Sequence, residues 1–70
     1  MRYKVEKILS HALQDGEYKL LTLWQGFDDE DATWEPFVVL YEDIPTIVAS
    51  YVQGLDGTDK IKPALQALMK

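Results

Sequence analysis

The chain has 70 residues, 47% hydrophobic and 27% charged, with no cysteine, a single histidine and a formal net charge of -5. A unit of this length is one domain that buries roughly 60% of the surface its unfolded chain exposes, so a few large side chains must supply the core. The composition excludes a disulfide framework, a thiolate or multi-histidine metal site and a thiol nucleophile.

No apolar run approaches the roughly 20 residues of a membrane span, and the start MRYKVEKIL is too polar for a signal peptide. The expectation is an intracellular domain cut from a longer protein. A pI near 4.5 argues against phosphate-backbone binding and for a basic partner.

Residues 2–9 set Tyr3 and Val5 against Lys4 and Glu6, the alternation of a half-buried strand. The alternation slips at Lys7-Ile8, where a bulge is expected. His11, near the end of this strand, reads as an exposed hairpin position. Asp15-Gly16 predicts a tight turn, and Glu17 to Trp24 a second strand. Gly26 and Asp28-Asp29-Glu30-Asp31 form the next turn. Ala32 to Glu35 then reads as a third strand stopped by Pro36, with Trp34 as a core filler.

After the apolar run Phe37-Val38-Val39-Leu40-Tyr41 the period changes. Asp43 is placed to cap a helix with Pro45 in its first turn. Ile44, Ile47, Val48, Tyr51 and Val52 form one apolar stripe, and Gly54 is a natural terminator. The fold class is therefore α+β: a small three-stranded bent antiparallel sheet packed against a helix. Leu55 to Thr58 reads as a linker, giving a domain at 2–54 and a tail at 55–70. In that tail Ile61, Leu65, Leu68 and Met69 share a face of an extra short terminal helix. Too short to hold alone in water, it is expected to pack back or to self-associate.

The charge is uneven. Residues 1–54 carry four basic and ten acidic side chains, a balance of -6, while residues 55–70 stand at +1. No glycine-rich phosphate loop and no Ser-His-Asp grouping appears, and neighbouring acids on a loop need not face one substrate. Neither an enzyme nor a cofactor is expected. Three aromatics invite another chemistry: Tyr3 on the first strand, and Trp24 and Phe27 flanking Gly26. Rings converging on a hollow attract a methylated ammonium by roughly 0.5–2 kcal/mol per desolvated contact. Asp31 or Glu30 at its mouth would add long-range attraction. Aromatics in so small a domain also serve as core, and the residues alone leave both readings open.

The segments YKVEKIL, DGEYKLLTLWQGFDDEDATWEP and EDIPTIVASYV together resemble the chromodomain family over residues 3–53. The most specific part is Trp24-Gln25-Gly26-Phe27, an acidic loop, and then Thr33-Trp34-Glu35-Pro36. Within the family the chain looks most like the C-terminal chromodomains of gypsy-class LTR retrotransposon integrases. The resemblance implies a nuclear, chromatin-associated reader of methyl-lysine in a histone tail, its cage falling on Tyr3, Trp24 and Phe27. It places an acid near the methylammonium on Asp31 and sets Glu35 along the peptide groove. The tail would add as a strand between the segment around Tyr3–Val5 and the segment after Pro36.

The family's polar clasp positions hold Val39 and Tyr41 here. A cage is therefore expected beside an apolar groove. That leaves a second possibility, a protein-interaction or dimerising module without methyl-lysine binding, using the 37–41 run or the terminal helix. Nucleic acid is disfavoured, since only Lys60, Lys62 and Lys70 would supply basic contacts.

Overall fold

The computed structural model of the chain describes residues 4–69. Tyr3, the expected first wall of the cage, lies outside the described residues. Strand β1 spans Val5–Gln14, β2 Glu17–Trp24 and β3 Thr33–Pro36, followed by helices α1 Phe37–Asp43, α2 Pro45–Gln53 and α3 Ile61–Leu68. The sheet is antiparallel throughout, in the order β1-β2-β3. The α+β fold class expected from the pattern is the one observed.

The first hairpin closes on Asp15 and Gly16, both at positive φ (52° and 81°), with Gln14 paired to Glu17. Two positive-φ residues give the type I′ geometry whose twist suits a two-residue hairpin. Strand β1 runs on to that turn, further than residue 9. It absorbs the slip in its pattern through two register shifts, between Val5 and Lys7 and between Ile8 and Ser10. Such irregularities bend a strand and let it wrap the helices.

One core joins every layer. The strands supply Val5, Ile8 and Leu20; α1 supplies Phe37 and Leu40, α2 Val48 and Val52, and α3 Ile61 and Leu65. Tyr18 closes one end, its ring edge-on to Phe37 with centroids 6.3 Å apart. The stripe expected on α2 behaves as drawn: Val48 and Val52 are fully buried, and Ile44, Ile47 and Tyr51 pack against the cluster.

Several expectations are corrected. Trp34 is not core but 44% exposed. Its register partner is Leu21, whereas Glu35 lies opposite the fully buried Leu20. Side chains alternate along a strand, so Trp34 falls on the sheet face turned away from the helices.

The apolar run 37–41, given no secondary structure by its pattern, forms most of α1. Phe37 and Leu40 point inward at i and i+3 with Tyr41 packed beside them, while Val38 and Val39 face out. Asp43 consequently ends α1 rather than capping α2. Ile44 occupies the joint at φ -136° and ψ 62°: its N–H bonds to the Leu40 carbonyl, and its own carbonyl accepts the Val48 N–H. A residue before proline is kept out of the helical region, and Ile44 lies outside it.

His11 is another correction. It is half-buried, and one of its ring nitrogens, Nδ1, lies 2.8 Å from the Tyr51 hydroxyl. Its Nε2 lies 3.0 Å from Asp59 Oδ2. The ring stands edge-on to Tyr51 with centroids 5.7 Å apart. A carboxylate can only accept, so Nε2 carries the proton; in neutral imidazole Nδ1 then accepts from Tyr51.

This latch ties β1, α2 and the approach to α3 together. The approach is ordered further by Asp56, whose Oδ1 accepts from both the N–H and the hydroxyl of Thr58 at 2.9 Å. Asp59 Oδ1 likewise accepts the Ile61 N–H at 3.0 Å. Helix α3 thus packs back on the domain, although Met69 departs from the expected apolar face and is 51% exposed. No helix among the described residues is long and apolar enough to cross a membrane.

Candidate functional site

Trp24 ends β2, and the chain reverses within three residues. Phe27 donates its N–H to the Trp24 carbonyl at 3.1 Å, with Gly26 at φ +87°. That is the third position of a four-residue turn, where a positive φ selects glycine. Gln25 donates to the Lys4 carbonyl at 2.8 Å, which extends the β1–β2 pairing beyond Val5. Trp24 and Phe27 therefore sit at the rim of the sheet.

The acidic run comes next as a single 3-10 turn at Asp29–Asp31. Asp31 donates its N–H to the Asp28 carbonyl at 2.9 Å, and Ala32 donates to that of Asp29 at 3.1 Å. The turn sets Asp31 back against the rim. Asp31 and Thr33 line one open hollow with Trp24 and Phe27, of about 420 Å³.

The hollow has a hydrogen-bonded wall. Trp24 Nε1–H donates to Thr33 Oγ1 at 2.8 Å, and the Thr33 hydroxyl donates to Glu35 Oε2 at 2.7 Å. Thr33 and Glu35 are two apart on β3 and share the face opposite to Trp34. Two aromatic side chains, an acid beside them and a cluster of exposed acids on the adjoining turn suit a cation with apolar surface. They offer no nucleophile and base in contact.

The expected site residues fall in several places. Trp24, Phe27 and Asp31 come together in the hollow, while Glu35 supports its wall through Thr33. Val5 is 6% exposed and belongs to the core, opposite Trp24 in register, so its side chain is turned inward. Tyr41 is half-buried against the core. Val39 is 50% exposed and lines a different groove with Tyr18, Phe37, Val38 and Leu68, about 560 Å³ in volume. Thr33 is the contributor that residue-by-residue reading passed over. Its signal was available: on a strand, Thr33 shares a face with Glu35, and both follow the ring they support.

The sequence model of the Chromo (CHRromatin Organisation MOdifier) domain matches residues 3–53, which holds the sheet, α1, α2 and the whole of the aromatic hollow. The chain belongs to the chromodomain family. Among curated proteins, this chromodomain is similar to the Chromo domain-containing protein cec-3 of Caenorhabditis elegans, at 40% identity over 58 residues. The match takes in 83% of this chain but only 17% of that protein's length. Chromodomains are binding modules, in keeping with a hollow built of rings and acids. Helix α3 lies beyond the family match, yet Ile61 and Leu65 are part of the same core.

Proposed function

We propose that this chromodomain is a chromatin-binding module that reads a methylated lysine in a histone tail. The observation that carries the reading is the hollow itself, with Trp24, Phe27 and Asp31 converging beside the acidic turn. Ring faces attract a methylated ammonium that water releases readily, and Asp31 adds a negative charge at the same place. Tyr3 is proposed as the third ring on the strength of the family resemblance. The peptide would add as a strand along the segment around Val5 and across α1, its basic residues drawn by the acidic body of the domain. The place of action is chromatin in the nucleus, and in a gypsy-class integrase the module would tether the integration machinery there.

Titration with unmodified and trimethylated lysine peptides, followed through the Trp24 indole resonance, tests the reading. Methyl-dependent binding is expected, with loss of at least tenfold in Trp24→Ala as one buried aromatic anchor is removed. Binding of both peptides alike contradicts it.

A second reading is favoured by one feature. Val38 and Val39, 49% and 50% exposed, line the groove between α1, the first hairpin and α3. An apolar groove of this kind suits protein–protein association without any methyl mark. Sedimentation at several concentrations separates the two, since a strict monomer that binds methyl-lysine supports only the first.

A further inference from the structure

Resting on the methylammonium reading, we propose that Thr33 is the positioning residue of the aromatic site. It holds the Trp24 ring, and Glu35 serves as its anchor rather than as a contact to the ligand. An indole can pivot about its two side-chain torsions, so how its face meets a cation in the hollow depends on what fixes the ring. Trp24 has one polar atom with which to fix that orientation, the Nε1–H, and this atom is bound to Thr33 Oγ1 at 2.8 Å. A hydroxyl that accepts one hydrogen bond still has a proton to place. Thr33 places it on Glu35 Oε2 at 2.7 Å, a short bond of the charge-assisted kind.

The chain Trp24–Thr33–Glu35 therefore has a fixed direction. The carboxylate orients the hydroxyl, and the hydroxyl's lone pair orients the indole. The two nearby acids consequently divide their work. Asp31 lines the hollow and faces the ligand's charge, whereas Glu35 is engaged with Thr33. Thr33 is exposed, so replacing it removes the bond without opening the core.

The test uses Thr33→Val, which keeps the shape and removes both bonds, and Thr33→Ser, which keeps the hydroxyl. Tetramethylammonium and a trimethyl-lysine peptide are the probes. The indole N–H of Trp24 is followed by NMR, with that of Trp34 as a reference in the same sample. In Thr33→Val the Trp24 N–H resonance should move upfield and exchange faster with solvent. Both probes should bind about fivefold more weakly, the size of effect that follows from one lost hydrogen bond. Thr33→Ser should restore the resonance and the affinity, and Glu35→Gln should fall between the two. If Thr33→Val shifts the Trp24 N–H but leaves binding unchanged, the positioning role is overturned and the methylammonium reading stands. If the unsubstituted protein binds neither probe, that reading fails together with the inference built on it.

Discussion

Gly26 controls the direction in which Phe27 leaves the sheet. A Cβ added there meets nothing within 4 Å, so only the backbone at φ +87° resists a side chain. A left-handed φ costs a non-glycine residue roughly 1–2 kcal/mol. Gly26→Ala should lower unfolding stability by about 1 kcal/mol in chemical denaturation. It should weaken methyl-lysine binding by more than that loss accounts for, because relief of the strain swings Phe27. At His11 the stakes are structural. His11→Ala strips two hydrogen bonds from half-buried partners, Tyr51 and Asp59, and should cost about 1–3 kcal/mol. Peptide affinity at saturating stability should be unaffected. Burial, aided by the nearby Asp59 charge, pushes the Tyr51 hydroxyl above its ordinary pKa of 10.0.

Among the elements, α3 gains most from its surroundings and has the least stability of its own. Eight residues do not make a helix in water, and Ile61 and Leu65 are held by the core they complete. Ile61→Ala should cost about 2–4 kcal/mol in denaturant melts, as large-to-small core changes do. The approach to α3 carries its own pH dependence. The Ile61 N–H, and then the bond and charge of His11, hold the Asp59 carboxyl below its usual 3.8. The Thr58 N–H and hydroxyl lower that of Asp56. Folded-state values below the unfolded ones mean that this stabilisation is complete above pH 3.8 and fades as pH falls through the lowered values. Protection of the amides in residues 55–68, relative to their intrinsic exchange rates, should therefore fall in acid before that of β2. Uniform loss of protection across the chain would contradict this.

The elements also show what a sequence can and cannot display. Alternation, the Asp15-Gly16 turn and the stripe from Ile44 to Val52 are local patterns, and each became the element it suggested. The run Phe37–Tyr41 carried a helical i, i+3, i+4 spacing within five apolar residues, too short for either period to exclude the other. The face that Trp34 takes depends on the register with β2, where Leu21 is its partner, and no local pattern displays that. The His11 latch joins residues 40 and 48 positions apart, a separation that no local pattern reports. The hollow was foreseeable as two rings around a glycine beside acids. Of its Thr33–Glu35 wall the strand period shows only that the two residues share a face; the bonds to Trp24 and between them need the side chains' geometry.

Over the whole molecule the net charge of -5 resolves into an acidic sheet-and-helix unit and a mildly basic tail. Its densest acids form the turn beside the aromatic hollow. Such a field speeds the approach of a lysine-rich peptide and is screened within about 8–10 Å at physiological salt. Raising salt should therefore weaken methylated and unmodified peptides alike by a few-fold while leaving the ratio between them nearly constant. On the proposed reading the selectivity would arise from ring faces in contact with the methyl groups, which ions screen far less.

The most direct measurement is an NMR titration of the intact chain with matched histone-tail peptides, unmodified and trimethylated at one lysine, with Trp24→Ala in parallel. The methylated peptide should shift the Trp24 indole and bind at least tenfold more tightly than the unmodified one, with that advantage abolished in Trp24→Ala. Equal affinity for the two peptides, or an advantage that survives Trp24→Ala, would show that the hollow of Trp24, Phe27 and Asp31 is not a methyl-lysine site.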